Sequence, residues 1–182
     1  MAISDYIYSI TGRPRDVIAF FNACIGAASN HSRLGARELR LAEGEYSRKR
    51  LSAIGDEWSA DYPTLIDFAA ILQRRSASFK VETILDVDVA ELCLTIAADN
   101  PGGIGLTQSA MQVIDGLMST KHFKLLLVRT FYQVGLVGLK ISPHETESWA
   151  DELGKSVSFP EINDQTSVVV HPAYRRALGV RE

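Results

Sequence analysis

The sequence predicts a mainly α protein: a helical subdomain followed by a winged helix-turn-helix with a small antiparallel β-wing. Three observations carry this. Apolar residues recur at three- and four-residue spacing through most of the chain, the mark of amphipathic helices. The stretch 121–142, KHFKLLLVRTFYQVGLVGLKIS, starts with that spacing and ends with the alternation of a strand, and Gly135 stands at the change. The stretch 166–170, TSVVV, is rich in β-branched residues and supplies a returning strand. The predicted division is residues 1–80 for the helical subdomain and 81–182 for the winged helix.

The bulk numbers fit a globular chain. Of 182 residues, 46% are hydrophobic and 23% charged, enough to build a core. The net charge of −3 argues against a strongly basic nucleic-acid binder. Cys24 and Cys93 both fall in apolar helical patterns, which predicts reduced, buried thiols. No signal peptide and no membrane-length apolar run is present, so a soluble cytoplasmic protein is expected.

Taken in order, Pro14 is placed to open the first helix, with Asp16 in its first turn. Val17, Ile18, Phe21, Cys24, Ile25 and Ala28 are its expected buried face. SNHS, 29–32, is a loop. A second helical region covers about 36–58, with a bend or break expected near Gly44. Were it continuous, Arg33, Arg37, Arg40 and Arg48 would share a face, with Glu38, Glu43 and Glu45 as expected ion-pair partners. DYPTLIDFAAILQRR predicts a third helix, with Leu65, Phe68, Ala69 and Leu72 buried. SASFKVETIL reads equally as a short helix or an extended link.

The second half opens with a helix from Asp86 to Asp99, in which Val89, Leu92, Cys93, Ile96 and Ala97 form one face. NPGG breaks it, and Thr107 is the expected cap of the next helix. STKH turns into the central helix, whose apolar side carries Phe123, Leu126, Leu127, Phe131 and Val134. The polar stretch after Ser142 reads as a long wing, with Trp149 or Phe159 folded back as cover. HPAYRRALG closes the chain as a short helix stopped by Gly179.

The chemistry-bearing residues are scattered. The chain has no G-x-x-x-x-G-K-[ST] phosphate loop and no zinc-spaced Cys/His set. His31, His122, His144 and His171 accompany no nucleophile in a known signature. Asp56-Glu57 and Asp151-Glu152 are adjacent acids, and adjacent helical positions do not share a face. Asp86 and Asp88 suit helix capping rather than a metal. These readings predict no enzyme, no cofactor and no metal site.

Four strings in chain order then matter together: RPRDVIAFFNACI, AEGEYSRKRLSAIGDEWSADYPTL, FYQVGLVGLK and INDQTSVVVHPAYRRALG. They resemble the C-terminal part of a family of large bacterial P-loop ATPases of the AAA+ and STAND type. The resemblance covers nearly the whole chain. It implies a lid-like helical region followed by a winged helix, with the nucleotide domain preceding Met1. It also implies that Arg13 and Arg15, near the start of the lid helix, contact nucleotide phosphates on another polypeptide.

Two partner classes follow. A protein partner, either an ATPase domain or a second copy, is favoured, in keeping with a non-catalytic regulatory or interaction module. DNA is the alternative, read by Lys121, Lys124, Arg129 and Gln133 on the central helix. The wing's Glu145, Glu147, Asp151 and Glu152, set against Lys155 alone, would repel phosphates.

Overall fold

The computed structural model describes residues 14–29, 33–142, 144–150 and 157–181. It is mainly helical, with a small antiparallel sheet. The first helices are α1 (Pro14–Ala27), α2 (Ala36–Glu57) and α3 (Leu65–Phe68), which continues as a 3-10 turn, Ala69–Leu72. Strand β1 (Ser78–Lys80) and a 3-10 turn (Val81–Thr83) lead to α4 (Asp86–Asp99), α5 (Leu106–Ile114) and α6 (Thr120–Gln133). Strand β2 (Val137–Lys140), a 3-10 turn (Phe159–Glu161), β3 (Ser167–Val170) and α7 (Pro172–Leu178) complete the order.

Helix α1 begins at Pro14 as the sequence predicts, but it turns a different face inward. Phe20, Ala23 and Cys24 are buried, while Ile18, Phe21 and Ile25 are exposed. Both sets repeat at helical spacing, so periodicity alone could not choose between them. Polar anchoring decides: Asp16, on the buried side, pairs with Arg50 of α2 at 3.1 Å. Helix α2 runs through Gly44 without the expected break. Burial of Ala42, Tyr46 and Ile54 along its length offsets the glycine penalty of about 1 kcal/mol.

The predicted third helix is there, but it shortens to one α turn followed by a tighter one. SASFKVETIL resolves as β1 plus a 3-10 turn. Thr107 does not cap α5. Gly105 holds that place, and Thr107 sits inside the helix, buried, with its hydroxyl 2.8 Å from that of Thr64. Ser119 does cap α6, its Oγ accepting from the His122 N–H at 3.1 Å. Gly135 ends that helix with φ of 77°, a conformation few other residues adopt.

The sheet order is β1-β3-β2, with both pairings antiparallel. Strand β3 therefore lies in the middle, and its Val168 and Val170 point into the core. Strand β2 is buried on both faces rather than alternating: Val137, Gly138 and Leu139 are all covered. The chain after β2 folds back, and Ser148 exchanges backbone hydrogen bonds with Leu139 at 2.8 and 3.0 Å. Trp149 then lies so close over Gly138 that a Cβ there would meet its ring at 2.8 Å. Phe159 also returns, beneath Arg129 and beside His122.

Two cores result. The larger joins Leu65, Phe68 and Leu72 to Val89, Cys93, Phe123, Leu127, Phe131 and the sheet. Residues on both sides of position 80 thus share one interior. The smaller consists of Phe20, Ala23, Cys24, Ala42, Tyr46 and Ala173. Helix α7 belongs to both, giving Tyr174 and Leu178 to the first and Ala173 to the second.

Candidate interaction surfaces

The central helix α6 shows how its polar residues are used. The Lys124 side chain is turned inward and the residue is only 6% exposed. Its Nζ donates to the Ile84 carbonyl at 3.2 Å and to Asp86 at 3.0 Å, tying α6 to the start of α4. It is therefore not presented to a phosphate, contrary to the sequence expectation. Lys121 is exposed but paired with Asp164, whose hydrogen bond and charge raise the lysine pKa. Arg129 lies over the Phe159 ring, 5.3 Å from its centre. Gln133 is exposed.

Arg129, Tyr132 and Gln133 line one side of an open cleft of about 580 Å³, with Ala150, Phe159 and Pro160 also at its wall. Its polar groups hold the chain in place. The Tyr132 hydroxyl is 3.3 Å from the Ser148 hydroxyl and accepts from the Val157 N–H at 3.4 Å. Ser158 also stands at the wall, and its N–H and hydroxyl both donate to Glu161, the capping box of the short 3-10 turn. The described residues contain no group of three or more His, Cys, Asp or Glu that could hold a metal ion.

Arg15 lies 3.7 Å from Glu57, both side chains well exposed. Arg13 lies outside the described residues, as do His31, Asp151, Glu152 and Lys155. Glu145 and Glu147 are exposed on the returning segment. His171 caps α7, its Nδ1 accepting from the Ala173 N–H at 3.2 Å, and its ring packs on Trp149. Both cysteines are buried and free, and burial pushes their thiols up.

Two surfaces remain on the α1–α2 pair. The first is the apolar row on α1: Ile18 is 61% exposed, Phe21 47% and Ile25 68%. From Val17 to Ser29 the helix and the residues just after it carry no charge. The second is the arginine face of α2. The acids expected to neutralise it are engaged elsewhere: Glu38 accepts from the Gly35 N–H at 3.0 Å, Glu43 is buried against Arg176, and Glu45 pairs with Lys49. Sequence reasoning expected the reverse of both, a buried α1 row and a neutralised α2 face. The signal available for the first was the second apolar row, Phe20, Ala23 and Ala27, in the same helix.

Residues 1–55 match the model of a family described as FunZ-associated C-terminal helical domain, designated FunZ_C. The matched segment includes α1 and nearly all of α2, the elements that carry both surfaces. It supports an accessory helical module of the kind found at the C-terminus of a larger protein. No curated protein and no solved structure matches the chain. No helix among the described residues is long and apolar enough to cross a membrane.

Proposed function

We propose that the chain is a non-catalytic interaction module that docks on a nucleotide-binding domain, as the C-terminal part of a P-loop ATPase of AAA+ or STAND type would. The observation that carries this reading is the uncovered row Ile18, Phe21 and Ile25 within the segment that matches the C-terminal helical family. An apolar row without charges calls for an apolar protein surface. The order α4, α5, α6, β2 and β3, with Trp149 and Phe159 returned onto the fold, supports a winged helix for the second half. On this reading Arg15, exposed at the start of α1, would exchange its solvent-exposed contact with Glu57 for a nucleotide phosphate held by the partner. The DNA-binding alternative through α6 is less well supported, because Lys121, Lys124 and Arg129 each have an intramolecular partner.

The test uses a hydrophobic-surface dye, light scattering and nucleotide titration. The purified chain is expected to bind the dye or to self-associate. Ile18→Lys with Ile25→Lys is expected to abolish this at an unchanged melting temperature. Magnesium-ATP is expected to neither bind nor turn over. A dye-negative monomer that the double variant leaves unchanged would overturn the docking surface. Saturable, magnesium-dependent hydrolysis that survives repurification would overturn the non-catalytic reading.

A further inference from the structure

Helix α2 carries a second surface whose chemistry differs from that of the apolar row. Arg37, Arg40 and Arg48 are exposed, and Arg33 stands exposed just ahead of the helix. At 3.6 residues per turn, the three helical arginines fall within an arc of about 80°. They extend over about 16 Å of helix axis at 1.5 Å per residue. Gly44 occupies the gap in this row, and the Arg48 guanidinium lies 3.4 Å from where a Cβ would stand there. Among the described residues, none of the four arginines has an ion pair or hydrogen bond.

We propose that this arginine row binds the phosphate backbone of a nucleic acid. Guanidinium groups are planar forks that match phosphate oxygens two at a time. A straight row of about 16 Å spans roughly five phosphates of one strand, at about 3.4 Å of duplex axis each. The arc holds no acidic and no aromatic side chain, and Leu41 stands only at its edge. A protein interface needs a desolvated apolar centre, which this arc lacks. A polyanion needs none, because counterion release supplies its affinity. The neighbouring carboxylates of Glu45 and Glu43 are neutralised by Lys49 and Arg176, and Glu38 is folded onto the backbone of Gly35. The binding is independent of sequence, since nothing in the row is placed to read bases. It is separate from the docking row on α1 and does not depend on it.

The experiment is fluorescence anisotropy with a short labelled duplex of arbitrary sequence and the matching single strand, across about 50–200 mM salt. The expected result is affinity in the non-specific range, about 10⁻⁴–10⁻⁶ M at physiological salt, with a log–log salt slope of about −3. Arg37→Ala, Arg40→Ala and Arg48→Ala should each reduce the magnitude of the slope by about 1, and the triple variant should abolish binding. The triple lysine variant should retain most of the slope. All three side chains are exposed, so an unchanged melting temperature checks that the variants fold. Lack of binding at the lowest salt, or binding that the triple alanine variant leaves intact, would overturn the proposal. Tighter binding of poly-glutamate than of duplex would assign the row to an acidic protein and would also overturn it.

Discussion

Asp16 and Arg15 are neighbours in sequence with opposite surroundings, and they predict opposite results on mutation. Asp16 is 6% exposed and holds Arg50 across the α1–α2 contact. Asp16→Asn weakens that bond and leaves a partly buried guanidinium without its counter-charge, so a loss of about 1–3 kcal/mol is expected. Arg15 pairs with Glu57 between exposed side chains, where screening leaves little net stability, and Arg15→Ala should stay within about 0.5 kcal/mol. Thermal melts of the two variants decide this, and equal losses would contradict the assigned burial. Cys93 makes a pH-dependent case. Burial pushes its thiol up to about 11, whereas an unfolded chain releases that proton near about 8.5. In this window the native state holds a proton that the unfolded state has lost. Its contribution to stability is therefore lost as pH rises from about 8.5 toward 11. Melting curves at neutral and alkaline pH should show a shallower alkaline decline for Cys93→Ala than for the parent. Equal declines would count against the buried thiol.

Helix α6 was the most legible element, because its apolar side, its end at Gly135 and its passage into β2 leave distinct sequence signs. Leu127 and Phe131 are buried as their spacing implies. Leu127→Ala should cost about 2–5 kcal/mol and Phe131→Ala about 3–5 kcal/mol. At a few degrees per kcal/mol for a chain of this size, both should melt well below the parent. An unchanged melting temperature for both would remove α6 from the core. Less was legible wherever two sequence signals competed. Helix α1 has two apolar rows, and a carboxylate on one of them, Asp16, settled which was buried. Lys124 reads as a surface cation, yet its long stem crosses the core edge to reach Ile84 and Asp86, residues far from it in sequence. The α2 arginines and glutamates have the spacing of helical ion pairs, but stronger partners at Gly35 and Arg176 draw two of the acids away.

On the scale of the whole molecule, the last helix connects the two cores. Ala177 donates its N–H to Ser47 Oγ at 2.9 Å, Arg176 reaches Glu43 at 3.3 Å, and Ala173 packs beside Phe20 and Tyr46. Removing α7 should therefore loosen the α1–α2 pair as well as the sheet side. A variant ending at His171 is expected to lose cooperative unfolding in both cores, read by Trp58 fluorescence for the larger core and by amide hydrogen exchange of α1 and α2 for the smaller one. Unchanged protection of the α1 and α2 amides in that variant would show the α1–α2 pair to be independent of α7. The same arrangement has a temporal consequence. Strand β1 waits for β3, its partner at positions 167–169, and Phe20 waits for Ala173. During synthesis, neither interior can close until residues 167–178 have emerged, so the α1–α2 pair leaves the ribosome long before its cover. Contacts this distant in sequence also slow folding, because their loops close before any burial rewards them. Until then the nascent chain leaves Phe20 and Tyr46 without the cover that Ala173 later supplies, apolar surface of the kind that makes partly folded chains prone to aggregate.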